Sequence, residues 1–188
     1  MLFNSIDFAV FLPIVFVLYW FVTKRSLSLQ NVLIVCASYL FYGWWDYRFL
    51  ALIALSTLVD FIVAKQLQKE TVRKRRKALL FVSLIFNLGM LAFFKYFNFF
   101  IESWVDAWQL FGIEMQTATL KIILPVGISF YTFQTLSCTI DVYRGKLKPV
   151  KSLLDFSLYV TFFPQLVAGP IVRVNELTPQ FEEAKKFN

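Results

Sequence analysis

Apolar residues along this chain fall in long runs, and its charged residues gather in the short stretches between them. Five of the runs read as helices that span a membrane: Ile6–Val22, which contains Pro13, then Leu29–Trp45, Phe49–Ala64, Ala78–Phe100 and Leu120–Val142. A sixth, Leu153–Val172, is interrupted by Pro164, Gly169 and Pro170. An upright helix needs about 20 residues to cross the hydrocarbon, and several runs are shorter, so local thinning or snorkelling flanks are expected. The pattern predicts an all-α, multi-pass transmembrane protein forming one membrane-embedded domain over residues 1–188. Its sixth element should be broken or re-entrant, because Pro164 and Pro170 each lack an amide donor and disfavour helix in the preceding residue. Irregular backbone at membrane depth is tolerated only where protein or a wet cavity satisfies it, so the break is expected beside a cavity.

Charge gives the orientation. Lys24 and Arg25 follow the first run, and Lys65–Lys77 carries seven Lys or Arg against one Glu. Arg144, Lys146, Lys148 and Lys151 follow the fifth. The alternate connections hold Asp46 with Arg48, and then Glu102, Asp106 and Glu114. Basic connections stay in the cytoplasm, which places the N-terminus outside. Tyr42, Trp44, Trp45, Tyr47, Trp104 and Trp108 would form an outer aromatic belt. The first run lacks a basic leader and carries Asp7, so it reads as a retained span and not as a cleaved signal.

Composition strengthens the membrane reading. Hydrophobic residues make up 59% of the chain and aromatics 19%, with only 16% charged. A soluble surface could not be wetted on those terms. The net charge of +7 lies in the connections and leaves no nucleic-acid footprint. The basic loop Val72–Lys77 sets topology and touches anionic lipid; its other reading is a site for an anionic cytoplasmic donor.

Chemistry is sparse by inspection. The chain has no His, so neither a Ser-His-Asp nor a Cys-His arrangement can be built, and no metal-ligand spacing occurs. Cys36 and Cys138 read as small packing residues. Asp60, Asp141 and Lys95 lie within apolar runs, where a charge at mid-bilayer costs about 2.5–3.5 kcal/mol. Each is expected near an interface, with a wet internal cavity as the alternative for the two acids. Asp141 and Arg144 are three apart and would share a helix face. Leu124–Gly145 concentrates Ser129, Thr132, Gln134, Thr135, Ser137 and Thr139 behind Pro125 and Gly127. Such a helix is either enclosed by neighbours or lines a polar tunnel.

These segments, Leu124–Gly145 and Phe162–Arg173, together with the opening Met-Leu-Phe-Asn-Ser, closely resemble the membrane-bound O-acyltransferase family, alginate O-acetylation type. Cys138 departs from the aromatic residue usual there. The resemblance implies part of a helical ring around a thin membrane centre with a tunnel through it. Gly127, Ser129, Gln134, Asp141, Gln165 and Gly169 are the expected tunnel-lining residues. It also implies that an acyl thioester such as acetyl-CoA is the donor substrate, with no cofactor bound. Periplasmic acetyltransferases and an exopolysaccharide acceptor are the implied partners, alongside membrane lipid, and the bacterial inner membrane is the implied location. The family's catalytic His lies beyond Asn188, so the chain reads as the N-terminal portion of a longer enzyme, inactive alone. A non-catalytic scaffold recruiting periplasmic enzymes is the second reading, and a transporter the third.

Overall fold

The computed structural model describes residues 3–23, 26–111, 124–166, 169 and 172–183. Lys24, Arg25, Glu114, residues 120–123 of the fifth run and Pro170 lie outside them. Among the described residues the secondary structure is entirely helical.

Helix α1, Ile6–Val17, starts where Ser5 accepts a hydrogen bond from the Phe8 amide and Asp7 offers its charge to the first turn. It widens into a π-helical turn at Leu18–Val22. The carbonyls freed there are taken up: the Thr23 hydroxyl donates to Leu18 and Tyr19 oxygens, and Gln30 Nε2 donates to Tyr19 O. Helix α2, Leu27–Gly43, is capped by Ser26. A short 3-10 turn at Tyr47–Phe49, opened by Asp46, leads into α3, Leu50–Lys69. Helix α4 is a single unbroken rod over Arg73–Leu110. Helix α5, Ile128–Tyr143, is followed by α6, Leu153–Thr161, the single turn α7, Phe163–Leu166, and α8, Val174–Glu182.

Two stretches, Tyr47–Lys69 and Arg73–Leu110, are long and apolar enough to cross a membrane; Ile6–Val22 and Leu27–Gly43 are shorter apolar helices. The expected boundaries hold to within a few residues for the first three runs. The fourth run is a longer helix than expected at both ends, because Arg73–Lys77 and Glu102–Leu110 contain no breaker.

Helices α3, α4 and α5 pack against one another, while α2 packs on α6 and α6 on α8. The main core gathers Ile53, Leu67, Tyr131, Phe156 and Tyr159. A smaller cluster joins α1, α2 and α7 through Phe11, Phe41 and Phe163, with Phe163 ring-centred 5.5 Å from both. Outside these contacts, large apolar side chains face outward, among them Ile85, Phe100 and Leu110 on α4. Hydrocarbon is the solvent that suits that surface, and inside it helices associate by packing and polar contacts.

Tyr42 leaves the expected aromatic belt. It is buried and donates its hydroxyl to Val126 O at 2.9 Å, which removes it from the interface. Trp44, Trp45, Tyr47 and Trp104 are exposed.

Candidate functional site

The sixth apolar run breaks at Phe162, whose backbone leaves the helical region (φ −49°, ψ 106°). A break within an apolar run raises the question of where the freed amides go. Phe162 N still reaches Leu158 O, ending α6. Phe163 N is the orphan, and Ser38 of α2 satisfies it: the Ser38 hydroxyl donates to Ile34 O at 2.7 Å and accepts from Phe163 N at 3.2 Å. Pro164 has no amide to satisfy. Gln165 N and Leu166 N return to Phe162 O, closing one turn, and Gly169 N returns to Gln165 O at 3.0 Å. A cleft of about 280 Å³ beside the break is walled by Leu12, Val15, Tyr19, Phe162, Pro164 and Phe181, and it is apolar.

Helix α5 is held against this break. Gly127 opens the helix with a left-handed backbone (φ +76°), and a Cβ there would stand 2.9 Å from Leu166 O. Glycine therefore serves both the conformation and the close approach. About two turns on, Gln134 Nε2 donates to Tyr159 O at 2.6 Å. In return, the Tyr159 hydroxyl donates to Gln134 O at 3.2 Å and lies 3.3 Å from Val172 O. The Tyr131 hydroxyl faces that of Tyr42 without completing a hydrogen bond, and Gln134 Oε1 is likewise buried without a partner among the described residues.

The six residues expected to line a tunnel fall into separate places. Gly127 meets α7, Gln134 meets α6, and Gln165 and Gly169 form the turn after the break, where a Cβ on Gly169 would press on Gln165. Gln165 is buried on α7. Ser129 is half-buried in the first turn of α5. Asp141 is half-buried at the other end of that helix, about 20 Å along the axis from Gly127 at 1.5 Å per residue. No ion pair joins Asp141 to Arg144, which is exposed.

Asp60 departs most from expectation. It is fully buried, among α3, α4 and α5, with no wet cavity beside it among the described residues. Ser83 donates its hydroxyl to Asp60 Oδ1, and Asn87 Nδ2 donates to both carboxyl oxygens at 3.0 and 2.8 Å. Ser56 donates to Asn87 Oδ1 at 2.8 Å, and Thr135 and Thr139 of α5 face the carboxyl. The only buried residues of α4 are Ser83, Asn87 and Leu91, so this helix turns a polar stripe inward. The sequence held a signal for it: Ser56 with Asp60, and Ser83 with Asn87, each four apart within an apolar run.

The basic loop also has a structural use. Arg76 donates to Leu67 O, to Glu70 O at 3.2 Å and to Tyr143 O at 2.7 Å, and its guanidinium lies 5.7 Å from the Tyr143 ring centre. One planar fork thus closes the ends of α3 and α5. Nearby, Glu70 has its carboxyl pKa lowered by the Val72 amide and the neighbouring Arg75, with which it forms a 3.6 Å ion pair.

Apolar helices facing outward and buried polar groups answered from neighbouring helices define a helical membrane protein. The chain is 38% identical over 183 residues to the probable alginate O-acetylase AlgI of Pseudomonas aeruginosa, and 39% identical to that of Pseudomonas putida. A peptidoglycan O-acetyltransferase of Helicobacter pylori is 31% identical over 210 aligned positions. These alignments cover 96–97% of this chain but only 34–39% of the relatives, so it spans about a third of their length. No family model and no solved structure matches. Over the third of their length that it spans, the chain resembles the membrane-bound O-acyltransferases of the alginate O-acetylase type.

Proposed function

We propose that this chain forms part of an acyltransferase that carries acetyl groups from a cytoplasmic thioester, acetyl-CoA or similar, to hydroxyls of an exopolysaccharide such as alginate. The observation that carries the reading is identity near 38% across 96% of the chain to a protein named as an alginate O-acetylase. The break supports it, since among the described residues the amides of Phe163, Gln165, Leu166 and Gly169 all find acceptors, as irregular backbone in an apolar setting requires. The 188 residues contain no imidazole, so the proton of the acceptor hydroxyl goes to a base outside them. In this reading the chain alone gives no turnover. Its task is to shape the path, with Gly127, Ser129, Gln134, Asp141, Gln165 and Gly169 as the residues that line it. The protein crosses the bacterial inner membrane several times with its N-terminus outside, and periplasmic acetyltransferases complete delivery.

A chimera tests this. The matching third of Pseudomonas aeruginosa AlgI is replaced by this chain, and ester-linked acetate on secreted alginate is measured. Acetylation at a substantial fraction of wild type is expected. A chimera present in the membrane at normal abundance that leaves alginate unacetylated overturns the proposal. The Helicobacter match supports one alternative acceptor, peptidoglycan, and acetate released from purified cell wall in the same strains separates the two.

A further inference from the structure

We propose that a cleft between the 147–151 loop and the first turns of α8 binds a phosphate ester. The site is separate from the break and from the residues assigned to the acyl path. The cleft measures about 280 Å³ and is lined by Lys148, Lys151, Val174, Asn175, Thr178 and Glu182, with Pro149 and Pro179 stiffening its walls.

Four observations meet there. Lys148 and Lys151 contribute two ammonium groups that enter no ion pair among the described residues. Lys65 reaches across from α3 and donates its ammonium to Lys151 O at 2.8 Å, which pins the loop and adds a third positive charge beside it. Helix α8 begins at this cleft with no side chain capping it: its first residues, Val174 and Asn175, line the wall, and Arg173 stands at the cap. An uncapped helix start directs amide hydrogens and the positive end of the dipole toward an anion. One turn further along the same face is Thr178, 8% exposed, whose hydroxyl oxygen is buried without a hydrogen-bond partner among the described residues. A buried hydroxyl left unpaired is unfavourable, and a phosphate oxygen is an acceptor suited to it.

The opposite end of the cleft limits the ligand. Glu182 lies on the Thr178 face one further turn along, and Asp155 is close enough for the two carboxylates to repel. Phosphate at the lysine end is favoured, whereas a chain of several phosphates would run into the acidic end. A single phosphodiester or monoester fits, and it can come from a phospholipid headgroup or from a soluble phosphorylated molecule.

The test uses the whole chain, delipidated in a neutral detergent. Native mass spectrometry and phosphorus NMR follow titration with dihexanoyl phosphatidylglycerol, with inorganic phosphate, and with dihexanoylglycerol as the phosphate-free control. Saturable binding of one phosphate-bearing ligand is expected. Lys148→Ala with Lys151→Ala should weaken it at least about tenfold, and Thr178→Val about threefold, in keeping with the strength of charge-assisted hydrogen bonds. Binding of the phosphatidylglycerol alone supports the proposal with a lipid source; binding of inorganic phosphate as well supports it with a soluble one. The proposal is overturned if no probe binds, if dihexanoylglycerol binds as well as the phospholipid, or if the variants bind like wild type. Should the alanine pair lose its helical circular dichroism, the Lys148→Gln, Lys151→Gln pair makes the same comparison.

Discussion

The molecule carries two buried polar constellations that solve opposite problems. Around Asp60, three unbroken helices bring side chains together, and side chains answer side chains: Ser83 and Asn87 serve the carboxyl, and Ser56 serves Asn87. At Phe162 the helix itself has failed, and side chains answer backbone: Ser38 takes an orphan amide, while Gln134 and Tyr159 exchange bonds with each other's carbonyls. In the first region the polar groups are what must be accommodated. In the second they repair an irregular main chain. The difference teaches that polarity in an apolar run has no single meaning, and that its partner decides it.

Substitutions separate the two regimes. Asp60→Leu should have the largest effect, because Ser83 and Asn87 lose their acceptor together; a loss of about 2–5 kcal/mol is expected from two unpaired buried donors. Asp60→Asn keeps shape and one carbonyl and should lose much less. Unfolding in detergent, followed by circular dichroism, gives the ordering, and equal losses for both would mean that the carboxyl is not the hub. Gly127→Ala comes next, at about 1–3 kcal/mol for a left-handed residue forced against Leu166 O. In the AlgI chimera it should also reduce acetylation, because α5 would be displaced from α7.

Smaller effects belong to single bonds at the break. Ser38→Ala leaves Phe163 N unpaired and should destabilise by about 1–2 kcal/mol. Full stability in that variant would show that another group reaches the amide. The smallest effect lies outside the membrane, in the turn before α3. Arg48 holds the Asp46 carboxyl pKa below its ordinary value of 3.8 through a side-chain bond of 2.6 Å. A lowered folded value means that its stabilisation is present above the unfolded pKa and fades as pH falls through the folded one. Arg48→Gln should therefore flatten a slight acid sensitivity below about pH 4, since exposed pairs contribute little. Proton NMR of Asp46 shows whether its titration moves upward in the variant.

How much of this was legible in the sequence follows the same division. The break at Phe162 could be read, because Pro164 lacks an amide donor and disfavours helix in the residue before it, although Pro13 and Pro179 sit within helices. The helices could be read from their apolar runs, with ends blurred where nothing stops them, as at Arg73 and Leu110, and with α5 starting only at Ile128, behind Pro125 and Gly127. Gly127 stood out beside Pro125, although its partner, Leu166 O, lies in another element and no local rule supplies it. Asp60 was read beside Lys65, its neighbour along the chain, and its buried partners went unseen. Its true partners, on α4, are 23 and 27 positions away. Ser38 gave no signal, being one serine in an apolar helix, and Tyr42 looked interfacial until its hydroxyl was seen to reach Val126. Arg76 was one of several basic residues in a row, and only the fold tells the one that closes helix ends from those that face water.

The length of α4 has a mechanical consequence. At 1.5 Å per residue its 38 residues make a rod of about 57 Å, against roughly 30 Å of hydrocarbon. Ser83 and Asn87 bolt the rod to Asp60 in its first half, and Leu91 and Phe94 pack on the core beyond them, leaving an arm of about 24 Å between Phe94 and Leu110. An arm of that length is a lever. A lean of about 20°, ordinary for a transmembrane helix, carries its tip sideways by about 8 Å. The tryptophan pair Trp104 and Trp108, 5.6 Å apart near that tip, rides on it, so any tilt of α4 moves these two rings furthest from the packed half of the helix.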